Sequence, residues 1–172
     1  MPPTPESILI HVVDDANRPL AVMNSDDVHA QGLRHKGFIL LAWDNRNRIV
    51  LRRRDTSDPV HPGCLDVLGS GHVESHLAAE HAAENALPGI AHDLDPGLEL
   101  LARLDQGVGT GRESVEIFGV CLSTQAVRQM EADRSYLLVD KDECLALVAS
   151  YADRLTPEFL ATWQMKLWPG LS

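Results

Sequence analysis

Two carboxylates, Glu80 and Glu84, sit four residues apart in an alanine-rich stretch, Ser75 to Leu87, that reads as a helix stopped by Pro88-Gly89. Residues at i and i+4 share a helical face, so both acids project to one side. Mg²⁺ keeps several waters and asks for only one or two protein carboxylates when a substrate phosphate supplies other oxygens. The pair is therefore competent to hold a divalent ion against a phosphate, although the same two residues equally serve to solvate a helix of this composition. A basic knot, Arg52-Arg53-Arg54, offers planar guanidinium forks suited to phosphate oxygens. Strand alternation sends Arg53 and Arg54 to opposite faces, so one of them is expected to meet an anion. The competing reading is surface charge that deters edge pairing. Five of the eight histidines are bunched at His61, His72, His76, His81 and His92. His72, His76 and Glu80 recur every fourth residue and would line a divalent site if the helix began early enough; otherwise they are exposed or satisfied imidazoles.

The elements that must position these groups follow from local pattern. Ser7 to Val13 and Pro19 to Met23 read as the arms of a hairpin, and Ser25-Asp26-Asp27 as the cap of a short helix through Gly32. Phe38 to Trp43 is an apolar run of strand length, consistent with a strand buried on both faces. Arg48 to Arg54, Cys64 to Leu68, Leu98 to Leu104, Val115 to Leu122 and Tyr136 to Val139 read as further strands. Two helices close the chain, Lys141 to Tyr151 and Thr156 to Leu167, the second opened by a threonine cap and a first-turn proline. Strands, one central helix, more strands and terminal helices make a mixed sheet covered by helices.

Bulk properties exclude several classes. A formal charge of −10 argues against a nucleic-acid partner, which needs clustered Lys and Arg. No apolar run approaches the roughly 18 residues that cross a bilayer, and MPPTPES has neither the basic nor the apolar region of a signal peptide. The expectation is a cytoplasmic protein with no membrane partner. Cys64, Cys121 and Cys144 form no CxxC pair and are expected to be small buried hydrophobes. There is no internal repeat or linker, and 172 residues fit a single domain, 1–172.

Leu33 to His72 resembles isopentenyl-diphosphate isomerase and the Nudix hydrolases nearest to it. The carriers, in order, are LRHKGF (Leu33–Phe38), LRRR (Leu51–Arg54), Ser57, Pro62-Gly63, Asp66 and SGHV (Ser70–Val73); LTPEFLATWQMKL also resembles the closing helix of those hydrolases. The resemblance implies an α+β fold, the Nudix-type αβα sandwich with a mixed sheet and helices on both faces. It also implies a metal-binding helix, but the motif that begins at Gly71 reads GHVESHLAAEHAAENALPGI, with no RE or EE pair. Ala82, Ala83, Ala86 and Leu87 fall near the positions of the Arg and the glutamates. Aligning Gly89-Ile90 with the end of the family motif leaves the helix a few residues short, and if that shortening is placed before Glu80, the resemblance makes Glu80 and Glu84 the first and last acids of the metal cluster.

The resemblance further implies that Arg53 and Arg54 face a diphosphate and that Glu116, in VEIFGVCL, is an additional metal acid. His35 and His72 match metal histidines of the isomerase and His29 lies one residue off, which gives a second candidate set of His29, His35, His72 and Glu116. Isomerase activity is not expected: Ser70 replaces the catalytic Cys before Gly-His, and a hydroxyl is a far weaker acid than a thiol. Asp58 also stands where the isomerase has a lysine. The expected activity is hydrolysis of a nucleoside diphosphate derivative or related organic diphosphate. It would depend on Mg²⁺ or Mn²⁺, use Glu80 and Glu84 as catalytic metal ligands, and be weakened by the lost glutamates. The alternative is a non-catalytic Nudix-fold protein that binds a ligand or partner. Asp105 to Arg112 (DQGVGTGR) is expected to be a flexible recognition loop, and Trp163 and Trp168 are expected to be exposed on the last helix and to mark a contact surface, such as that of a homodimer.

Overall fold

The computed structural model describes residues 7–89, 97–105 and 112–171. Its order is β1 (Leu9–Val13), β2 (Pro19–Asn24), α1 (Ser25–Ala30), β3 (His35–Trp43), β4 (Ile49–Arg53), β5 (Leu65–Asp66), β6 (Gly69–His72), α2 (Ala79–Asn85), β7 (Glu99–Leu104), β8 (Glu113–Cys121), α3 (Thr124–Ala132), β9 (Tyr136–Val139), α4 (Lys141–Ser150) and α5 (Pro157–Gln164), with a 3-10 turn at Ala152–Arg154 between the last two helices. The nine strands form one mixed sheet centred on β3. β3 pairs in parallel with β8 over its whole length, from His35 opposite Glu113 to Trp43 opposite Cys121. Its other edge is shared by β6, β1 and β4, all antiparallel.

Alternation along β3 divides the interior in two. Phe38, Leu40 and Ala42 join Phe118, Val120, Ala83 of α2 and Met130 of α3 on one face. Ile39 and Leu41 join Val115, Ile117, Cys144 of α4 and Phe159 of α5 on the other. The expected sandwich with helices on both faces is what the chain adopts. Among the described residues, no helix is long and apolar enough to cross a membrane.

Several boundaries differ from the sequence expectation for identifiable reasons. α2 begins at Ala79 rather than Ser75, because Glu74 bridges Ile10 and the Ser75 N–H donates to the Leu9 carbonyl. His72, His76 and Glu80 therefore share no helical face. α3 was not anticipated, although Ser123 caps it and Ala126, Val127 and Met130 make its buried stripe. Trp168 is buried rather than exposed: it packs on Phe159 and its Nε1 donates to Thr162 Oγ1 at 3.3 Å. Cys64 and Cys144 are buried as expected, but Cys121 at the end of β8 is exposed.

α5 is fastened to the sheet by a buried polar lock. The Asp66 side chain is fully buried, accepts from the Thr156 hydroxyl at 2.6 Å and from the Val67 N–H at 2.8 Å, and pairs with Arg54 Nη1 at 2.8 Å. Thr156 is itself the N-cap of α5. Removing the carboxylate leaves the buried Thr156 hydroxyl and the Val67 N–H without their acceptor, while Arg54 keeps Asp58 as a partner. Asp66→Ala is accordingly expected to lower unfolding stability by about 2–4 kcal/mol in urea titrations; a loss under about 1 kcal/mol would show that the lock is not structural.

Candidate metal centre

The register of three strands converges four side chains at one end of the sheet. β6 places His72 opposite Gly37, and β8 places Glu113 opposite His35. α1 lays His29 over both, with ring centroids 5.1 Å from His35 and 4.7 Å from His72. One ligand atom from each of His29, His35, His72 and Glu113 lies within 4.8 Å of all the others. Gly37 keeps the floor open, since a Cβ there would meet the Gly71 carbonyl at 3.3 Å and the Glu113 carboxyl carbon at 3.7 Å.

The local hydrogen bonds orient these groups. His35 Nδ1 donates to the Leu33 carbonyl at 2.9 Å, which turns Nε2 toward Glu113 Oε1 at 3.0 Å. His72 Nδ1 lies 3.1 Å from the same oxygen, close enough for an ion pair, yet it is buried and misaligned for a hydrogen bond. Donor atoms about 3 Å apart are what bonds of about 2.1 Å to a common divalent ion require. Three imidazoles and a carboxylate, one ring fixed by a backbone carbonyl, thus fit a divalent metal, the carbonyl acting as the outer partner that metal-bound histidines need.

The electrostatics agree with a site of concentrated positive charge. Burial works against a charged His35, but its bond to Glu113, the Leu33 carbonyl and the Glu113 charge outweigh it and raise the pKa. Burial, then the neighbouring His72 and His35, push His29 down. Burial opposes the Glu113 carboxylate, yet His35 and His72 hold it well below the usual range.

The cluster opens into a cavity of about 500 Å³ whose lining includes Phe38, Ser70, Arg52, Arg54, Arg112 and Glu158. Arg52 and Arg54 point into it because they share a face of the β4 edge, whereas Arg53 is exposed and is not part of the lining. Arg54 is already engaged: Nη2 donates to Asp58 at 2.7 Å and Nη1 to Asp66.

No family model matches the chain. It is 33% identical over 66 residues to an uncharacterised Nudix hydrolase of Yersinia pestis, a match covering 38% of this chain and 36% of that protein. A second uncharacterised Nudix hydrolase, from Pseudomonas aeruginosa, is 29% identical over 86 residues, covering 50% and 49%. The chain thus spans about half or less of the curated relatives it matches. The crystal structure of a mutT/nudix family protein from Listeria innocua superposes with a TM-score of 0.56 at 20% identity, over 75% of this chain and 87% of that one. The chain has a Nudix fold. The matches support kinship with the Nudix hydrolase family.

In this Nudix-fold protein, the candidate residues fall on two sides of the sheet. His35 and His72 come together, with the near-match His29. Glu116 does not join them: it is one position out of phase with Glu113 and Val115, so it faces the α2 side, paired with Arg103 at 3.1 Å. Its neighbours there, Lys36, Ala78 and Ala79, line a smaller cavity of about 350 Å³. Glu80 and Glu84 are exposed on α2 and line neither cavity. With the sheet between them, the helix acids and the histidine cluster do not share one ion. Glu113 lay just outside the expected strand, and its signal was the period-two series Glu113, Val115, Ile117. Arg52 was passed over, although it alternates with Arg54. Most of the loop expected at Asp105 to Arg112 lies outside the described residues.

Metal and protons compete for these rings. A protonated His35 stabilises the metal-free fold below the ordinary histidine range, and that contribution is lost as pH rises through its raised pKa. Metal needs the neutral ring. Stabilisation by Mn²⁺ is therefore expected to grow between about pH 6 and 8, reaching about 2.7 kcal/mol at a hundredfold excess over Kd. Thermal unfolding with and without Mn²⁺ at both pH values checks this, and a constant increment would contradict it.

Proposed function

We propose that this Nudix-fold protein is a divalent-metal-dependent hydrolase of organic diphosphates, working in the cavity beside His29, His35, His72 and Glu113. The observation that carries the reading is the convergence of those four ligand atoms within 4.8 Å at the mouth of an arginine-lined cavity. Bound there, a divalent ion neutralises phosphate charge and lowers the pKa of a water. Among the described residues, Arg52 is a guanidinium with capacity to spare: its Nε is buried without a partner there, and the acid it approaches, Asp66, is 3.7 Å away. It would clamp a phosphate oxygen. Arg112 adds positive charge at the rim, and Phe38 and Leu33 supply apolar wall that excludes water. Three imidazole donors favour Mn²⁺ or Zn²⁺ over Mg²⁺, a harder ion that prefers oxygen. This shifts the expected cofactor away from magnesium.

A second reading is a metal-dependent binding protein without turnover. Its support is the shortage of bases: Glu113 is committed to the histidines, leaving Glu158 as the other carboxylate among the described lining residues. Placement within the isomerase-like branch is supported by His35, Ser70 and His72 sharing one cavity, while isomerase activity itself is disfavoured. Ser70 supplies no thiol there, and Asp58 occupies Arg54.

The test compares phosphate release from nucleoside diphosphates and other diphosphate esters in Mn²⁺ for wild type, Glu113→Gln and Glu84→Gln. The expected outcome is a loss of at least about 100-fold in kcat/KM for Glu113→Gln and a change of less than about threefold for Glu84→Gln. The reverse order would move the chemistry to α2. Tight metal and diphosphate binding without turnover would favour the second reading.

A further inference from the structure

Apart from His72 Nδ1 of the metal cluster, the residues lining the cavity carry two buried polar atoms that nothing in the described protein satisfies, and they are complementary. Arg52 Nε is a donor and Glu158 Oε2 an acceptor, both inaccessible to solvent and without a hydrogen-bond partner. No ion pair joins the two side chains. Unmade buried hydrogen bonds are rare in folded proteins and mark places where a ligand or water completes the structure. One bound molecule with an anionic end and a donor-bearing end would complete both once the two side chains turn toward it.

The backbone that carries Glu158 is fixed. The residue occupies the first turn of α5, directly after Pro157, and the helix start is fixed by Thr156 through its cap and its bond to the buried Asp66. The side chain shares the cavity with the histidine cluster, Arg52 and His61. It is the one lining carboxylate outside the metal cluster among the described residues, in a wall otherwise rich in cationic and neutral groups. An acid at this place repels a phosphate and desolvates poorly against hydrocarbon, so neither the head of an organic phosphate nor an alkyl tail suits it.

We propose that Glu158 is a specificity-determining residue that accepts a hydrogen bond from a hydroxyl or amino group on the non-phosphate end of the ligand, so that the cavity selects polar-tailed over hydrocarbon-tailed diphosphates. The proposal rests on the reading of the cavity as an organic-diphosphate site. Burial pushes the Glu158 carboxyl up from its usual range, reinforced by the Asp66 charge. Sites built to hydrogen-bond a substrate group reject analogues lacking it far more strongly than apolar pockets reject an extra methylene.

Calorimetry in Mn²⁺ tests this with diphosphates that differ in the tail. Uridine diphosphate, adenosine diphosphate and ribose 5-diphosphate carry polar tails; isopentenyl diphosphate carries a hydrocarbon one; inorganic diphosphate carries none. Wild type is expected to bind at least one polar-tailed compound about tenfold or more tighter than isopentenyl diphosphate. Glu158→Ala should abolish that ratio, and Glu158→Gln, which keeps an acceptor of the same size, should retain most of it. A wild type without the preference, or a Glu158→Ala variant that keeps it, overturns the proposal. If Glu158→Ala does not fold, the wild-type ratio and the Glu158→Gln value still decide, complete loss in Glu158→Gln counting against a hydrogen-bonding role. Failure of inorganic diphosphate to bind wild type would instead overturn the underlying reading of the cavity.

Discussion

Everything about the site follows from the two-residue period of β3 and its full-length parallel partner β8. Nine consecutive pairs lock the two strands in one register, and a slip of a single residue would exchange every side chain between the two faces. The apolar alternation of Phe38 to Ala42 leaves no freedom in that choice, because both faces are covered by helices. The same register that seats Ile39 and Leu41 against α5 carries His35, Gly37 and Glu113 to that side. Packing of the interior and assembly of the ligand cluster are therefore one event rather than two.

The second constraint is the buried carboxylate of Asp66. It ties the first residue before α5 to the short β5 strand and engages Arg54, which Asp58 holds from the opposite side. The arginine most suggestive of anion binding in the sequence is thereby spent mainly on structure. Arg52, two residues earlier and only loosely approached by Asp66, is left with unused donors. The division of labour between these two residues comes from what surrounds them, since their chemistry is identical.

Much of the fold was legible in the chain because apolar periodicity reports burial directly. Tyr136–Val139 and the run Phe38–Trp43 are strands as expected, and the cap Thr156 stands where the helix signal puts it. Local pattern failed where tertiary pairing overrode it. Gly69–His72 has no strand character of its own and is a strand only because β3 supplies its hydrogen bonds. Glu74 and Ser75 sit in helix-forming company but are captured by the first strand. The family resemblance brought His29, His35 and His72 together, while choosing Glu113 over Glu116 required knowing where β8 begins.

His29 differs from its three companions in that it stands on α1, a six-residue helix with only Ser25 and Val28 buried. α1 and the β1–β2 hairpin rest on a satellite core of Ile10, Val12 and Val28, separate from the two main clusters. An ion shared by His29 and the three strand ligands would act as a clasp between that satellite core and the central strands, so that the stretch from Leu9 to Ala30 would gain a tether beyond its own packing whenever the centre is occupied.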